Sequence, residues 1–443
     1  MNSPRRAPVK RSGQRVRIIG EPRVSVSVGR RYGREGISMA TTTLHLAQAC
    51  PSYDEDLVSD EALRNPFEHY RRIRNLGPIV QTRYPDVFAL GRFDDVQRAL
   101  RLPDVLVSTR GIGFNDIVNA PVEQPPVIRS AGERHRKLRR VLSKPLMPNA
   151  LKEQREMLKA MISTRLDAIV DKGEVDAVTT IAQHLPVEAI SYLVGLPEEG
   201  RANMLRWASA SFNTSGPLEP NGEMDEQLAA DFESLQEVNR YFLSINPAHL
   251  RPGSWVDMLF QAAAAGQLEI EEARAAMSAL VLPSLDTTIY AKGNLLYNLG
   301  THPDQWALLR SNPKLITSAV LEGVRYSATV RWFSRVAAED YVIGDCMIPE
   351  GGRVMLLYGA ANRDERHYPN PDQFDVTRNP QDQLGWGTGP HMCGGMHLAK
   401  LEMEVLIEAL VERVVRIEVG TPIVGVNRGL YGFDRIPISL HSA

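Results

Sequence analysis

The chain has 443 residues, 43% hydrophobic and 23% charged, an ordinary globular balance able to bury a large core. A formal net charge of -2 gives no bulk reason for nucleic-acid binding, and no apolar run reaches the roughly 18–20 residues of a membrane span. Three cysteines (Cys50, Cys346 and Cys393), with no CxxC pair, exclude a disulfide framework and point to a reducing, cytoplasmic setting.

Residues 1–38 hold nine arginines and Lys10 against Glu21 and Glu35, a net +8 that leaves -10 for the rest of a chain totalling -2. With no helical period and no apolar h-region, this stretch is neither a secretory signal nor an anchor. A basic disordered extension or a true first residue at Met39 is expected, with an organellar transit peptide as the alternative. Next come a helix over Glu61–Leu76, short strands at Ile79–Gln81 and Val87–Leu90, and a helix at Phe93–Leu100. Residues 103–130 are rich in Gly and Pro and read as a long irregular loop, a common place for function.

From 132 to 325, apolar residues recur at three and four, which predicts a run of helices. Within it His135 and Arg139 lie four apart on one face, among Arg134, Arg136, Lys137 and Arg140. Residues 270–299 read as one long helix, yet Pro283 cannot donate to the Ala279 carbonyl, so that helix must kink or open. Glu322 and Arg325 share a further helix face. Strand signals return at 339–358 around a Pro349-Glu-Gly-Gly turn, and an amphipathic helix covers 394–415. The sum is mainly α with a small β portion, a single domain over 39–443. Strands and helices do not alternate, which excludes a doubly wound sheet.

The most informative segment is Leu384-Gly-Trp-Gly-Thr-Gly-Pro-His-Met-Cys393-Gly-Gly-Met. Gly385, Gly387 and Gly389 permit a tightly wound loop with positive φ angles. Such a loop gathers backbone N–H groups around one sulfur just before a helix begins, and both features favour the thiolate. A thiolate without a Cys or His neighbour suits an axial ligand to haem (heme) iron. The bland alternative is a buried structural cysteine in a glycine-rich turn.

The order Trp386, Gly387, Gly389, His391, Cys393, Gly395 resembles the haem-binding signature of the cytochrome P450 family, with Trp386 and Gly394 as departures. That resemblance implies a mainly α, triangular, single-domain fold and a monooxygenase in which Cys393 is the iron ligand. Glu322 and Arg325 then resemble the family's buried E-x-x-R pair, although alone they would pass for a surface pair. Residues 361–378, NRDERHYPNPDQFDVTR at their heart, resemble its meander, with Gln373 where Arg or His is common. His135 and Arg139 match a helix that grips the haem propionates (a solvated basic helix is the plain reading), and Arg335 and His391 match further propionate partners.

Asp286 and Thr287 match the acid–alcohol pair that carries protons to the dioxygen being reduced, while Pro283 and Ser284 replace its usual small residues. Two shorter helices with a break between them are the structural alternative there. The chain carries no added length or cysteine cluster for a fused redox module. Electrons are therefore expected from NAD(P)H through an external ferredoxin and ferredoxin reductase, docking on the basic helix. The 107–116 loop resembles members that oxidise small aromatic compounds, with Ile112 and Phe114 as pocket walls. Ser278-Ala279 stands where acid-binding members carry Arg-Ser, which argues against an acid substrate. Two competing classes stay open: a peroxide-driven or non-oxygenating haem-thiolate enzyme, and a haem sensor.

Overall fold

The computed structural model describes residues 50–218 and 222–442. The readings made for residues 1–38 lie outside them. The architecture is mainly helical, with one six-stranded mixed sheet and three small ones. Phe93–Leu100 and Val87–Leu90 have the predicted bounds. The expected helix over Glu61–Leu76 is instead two, Asp60–Arg64 and Pro66–Leu76, because Pro66 lacks an N–H and starts a new helix. Among the helices predicted from 132 to 325 sits one short strand, Glu174–Asp176, which pairs with Pro437–His441 near the C-terminus.

The large sheet contains a strand, Trp332–Ala337, that alternation does not reveal. Five of its six residues are buried, so both faces are covered and the period of two disappears. It runs antiparallel to Arg353–Leu357, with Arg335 opposite Val354. Val87–Leu90 flanks Arg353–Leu357 on its other edge in parallel register.

Three helices frame the interior. Ile316–Ser327 and Met396–Arg413 pack together, and Asp286–Thr301 lies against the first of them. Leu295, Leu296, Leu299, Ala319, Val320, Leu406 and Leu410 are fully removed from water in one continuous core. Each such leucine contributes roughly 1.5–3 kcal/mol. Inside that apolar volume Lys292 donates to Glu402 at 3.0 Å, with both side chains essentially inaccessible. This pair ties the helix carrying Asp286 and Thr287 to the helix that follows Cys393.

The expected single helix over 270–299 is two helices, Ile270–Val281 and Asp286–Thr301. Pro283 removes the donor that would continue the first, and residues 282–285 form bends. Asp286 and Thr287 therefore stand in the first turn of a new helix and not mid-helix. Among the described residues no helix is long and apolar enough to cross a membrane.

Candidate active site

The loop before Met396–Arg413 is built as its glycines require, though not all for one reason. Gly387 and Gly389 adopt φ of +67° and +74°, which L side chains rarely take. Gly385 has no positive φ; a Cβ there would come within 2.7 Å of the Val324 side chain. It is required for room, not for rotation. Gly387 N donates to Leu384 O at 2.8 Å, and Cys393 N donates to Trp386 O at 2.9 Å, closing the loop.

Cys393 presents its sulfur to a cavity of about 970 Å³, at the upper end of the range for small-molecule sites. The sulfur is accessible from that cavity, yet surrounding protein pushes its thiol up. The N–H groups of Gly395 and Met396 and the Arg139 guanidinium pull it the other way but do not prevail. The donors expected around the sulfur are present, then, but do not make a thiolate by themselves. A metal ion held by Cys393 would deprotonate the thiol outright.

Among the basic side chains that line the same cavity are His135, Arg139, Arg335 and His391. Arg335 is buried and donates to the carbonyl of its neighbour Ser334 at 2.7 Å. Arg139 donates to Met392 O at 2.6 Å. The His135 and His391 rings lie 4.5 Å apart, and Ser108 Oγ stands 3.4 Å from His391 Nε2. Burial, then Arg335, His135 and Arg139, hold His391 down at about 4. Burial and Arg139 also lower His135. Among the described residues no carboxylate pairs with any of the four. Two guanidiniums without acid partners, beside imidazoles that can donate hydrogen bonds, fit a ligand that brings two carboxylates, as haem does.

A second layer braces the loop. Glu322 and Arg325, both fully buried, form a two-pronged pair at 2.7 Å for each contact. Arg325 also donates to the carbonyls of Asn362, Pro371 and Gln373. The side chain that completes the network is Arg378, whose Nε reaches Glu322 Oε1 at 3.2 Å. Gln373, where Arg or His is common, takes part only through its backbone carbonyl.

The cytochrome P450 family model matches residues 243–415. Cytochrome p450 CYP199A2 of Rhodopseudomonas palustris is 30% identical over 408 residues, covering 91% of this chain and 98% of that one. The chain belongs to the cytochrome P450 family. The biotin biosynthesis cytochrome P450 of Bacillus subtilis is 29% identical over 367 residues, covering 81% and 91% of the two chains. Among solved structures, Cytochrome P450 CYP109Q5 from Chondromyces apiculatus superposes with a TM-score of 0.74 at 25% identity, over 88% of this chain and 99% of that one. Fold, monooxygenase class and haem iron follow from that membership.

Against that background several expected positions differ in this P450. Thr287 lines the cavity that Cys393 faces, and its hydroxyl donates to Pro283 O at 2.8 Å. Asp286, its neighbour, lines a separate cavity on the other side of the helix. The acid and the alcohol are thus adjacent in sequence and face different spaces. Ile112 lines the cavity as expected. Phe114 does not; it is buried edge-on against Trp332. The basic helix is not a free positive patch either, since Arg134 and Lys137 pair with Glu272 at 2.9 and 2.5 Å and Arg136 with Glu133 at 2.8 Å.

Proposed function

We propose that this P450 inserts one oxygen atom of O2 into a small, uncharged, apolar substrate, with aromatic compounds the first class to test. We further propose that it works in the cytoplasm and draws electrons from NAD(P)H through an external ferredoxin and ferredoxin reductase. One observation carries the reading: Cys393 opens on a large cavity whose rim holds four unpaired basic groups and whose walls are apolar. When bound, haem supplies the redox-active iron at which dioxygen is reduced. Cys393 would hold the iron, and His135, Arg139, Arg335 and His391 the two propionates.

The rest of the chemistry belongs to the chain. Ile112, Val118, Phe212, Leu235, Ala279 and Phe333 surround the substrate space, excluding water and orienting an apolar guest. Two further cations reach this cavity, but carbonyls already occupy both. Arg129 donates to Val118, Asn119 and Ala120, and Arg274 to Phe242, Leu243 and Ile245. Arg274 also lies 3.9 Å from the Glu271 carboxylate, and Ser278 spends its hydroxyl on Ala275 O. Thr287 would hand on a proton in this space, with Asp286, its neighbour on the other side of the turn, as the source.

A peroxide-driven reading has one observation in its favour. Asp286 does not face the substrate cavity, and peroxide brings its own protons. The two readings separate in a reconstituted assay with a panel of small aromatics. Ferredoxin, reductase and NADH should give substrate-dependent NADH consumption, with hydrogen peroxide at least about tenfold slower, about 1.4 kcal/mol of barrier. Faster turnover with peroxide would overturn the ferredoxin-dependent assignment.

A further inference from the structure

The substrate cavity reaches the surface between two stretches of chain. Ile117 and Val122 on one, and Leu243 on the other, line the cavity and are also 51%, 50% and 65% exposed. Apolar side chains left open to water on both lips of a cavity mark a passage for an apolar guest. One lip is the single turn Asp116–Asn119 with the chain that leaves it. The other is the C-terminal end of the long helix Glu226–Ser244.

Both lips stop just short of a proline. Pro121 and Pro247 lack an N–H, so neither helix can run on and its last carbonyls have no helical donor. The bond from Ala120 N to Ile117 O closes the first, and that from Ile245 N to Tyr241 O closes the second. An arginine from outside the lip fills each gap. Arg129, in the turn Val127–Arg129, donates through Nη1 to Val118 O at 3.2 Å. Its Nη2 donates to Asn119 O and Ala120 O, both at 3.0 Å. Arg274, on Ile270–Val281, donates through Nη1 to the carbonyls of Phe242, Leu243 and Ile245 at 3.1, 2.8 and 3.1 Å. A cation at the end of Glu226–Ser244 also meets the negative end of the helix dipole.

Both arginines line the cavity themselves, so each ties a lip to its wall. The base of the first lip is fastened separately. Asn115 donates to the carbonyls of Thr214 and Gly216, and Asn119 bonds to both backbone groups of Gly113. Arg129 therefore governs the tip of that lip, where Val122 stands.

We propose that Arg129 and Arg274 are latches on this entrance, each holding one lip by three carbonyls, and that a bulky apolar molecule passes only when those bonds part. They are positioning residues, which set how fast a guest enters and leaves and take no part in the chemistry at Cys393. This rests on the haem-bearing cavity of the proposed function, and not on its substrate or its electron donor.

A latch has a kinetic signature that a wall contact or a structural brace lacks. Removing a barrier to passage speeds entry and exit by one factor and leaves Kd alone. Losing a wall contact speeds exit and weakens binding.

The test mixes haem-loaded ferric protein with phenylimidazole in a stopped-flow instrument and follows the Soret shift as the ligand nitrogen reaches the iron. In Arg129→Met and in Arg274→Met, association and dissociation should each rise about tenfold, with Kd within about twofold of wild type. Carbon monoxide, small enough to pass between closed lips, should bind the reduced variants at the wild-type rate. An arginine whose replacement leaves the phenylimidazole rates unmoved is no latch. A rise in dissociation alone makes it a wall contact, and an equal acceleration of carbon monoxide makes the effect a general loosening; either overturns the proposal. So does the loss of haem from both variants, which would make the arginines structural. Wild type that takes up no haem would instead remove the Cys393 reading, since this experiment needs no substrate and no turnover.

Discussion

Arg335 holds a positive charge in a buried place with one neutral partner, and that makes opposite predictions for the protein with and without haem. Burying an ion without a counter-ion costs several kcal/mol. Arg335→Met should therefore raise the melting temperature of haem-free protein. It should also weaken haem retention by roughly 10- to 100-fold, the loss of one hydrogen-bonded charge pair of about 1.5–3 kcal/mol. Thermal unfolding and haem transfer to apomyoglobin read the two effects separately; a fall in both would mean the arginine is only structural. Thr287→Ala should leave substrate binding near wild type and cut product formation on the order of 10²-fold while oxygen is still consumed. Product per NADH checks it, and unchanged coupling would remove Thr287 from the relay.

At this scale the sequence was legible where residue type and conformation are tied together. Gly387, Gly389 and Cys393 could be read because a turn with positive φ needs glycine and a ligand needs sulfur. The direction of Asp286 could not, since it depends on where a helix restarts after Pro283. Neither could Arg378 as the partner of Glu322, or Asp434 as that of Tyr290, because these pairs join residues 56 and 144 positions apart.

Among the elements, long periodic helices were predictable and short or fully covered strands were not. Trp332–Ala337 is hidden because neither face meets water, and the antiparallel pair Ile423–Val424 and Phe433–Arg435 because its strands are two and three residues long. The basic helix misled for a related reason. Two of its charges, Arg134 and Lys137, are answered by Glu272, which also caps its own helix and lies more than 130 residues downstream. The buried Lys292–Glu402 pair gives the prediction that belongs here. Burial lowers Lys292 and raises Glu402, so each depends on the other to stay charged. Lys292→Met alone should cost about 3–5 kcal/mol in urea unfolding. Lys292→Met with Glu402→Leu should recover most of that loss. A double variant no more stable than the single one would show that packing, not the orphaned carboxylate, carries the cost.

Taken whole, the molecule places one sulfur and four basic groups around a single large cavity, with a break in the overlying helix beside it. Two helices meet at that break, one sheet strand brings Arg335, and the glycine loop brings Cys393 and His391. The fold arranges a basic rim and a donor sulfur on one cavity, as a haem with two propionates and one thiolate ligand requires. Everything functional depends on the bond between Cys393 and iron. The direct measurement is the absorption spectrum of the reduced protein under carbon monoxide, wild type beside Cys393→Ser. A long-wavelength Soret band in wild type that is lost in the serine variant is the expected result. A wild-type spectrum without that band, in protein that has taken up haem, would contradict the account.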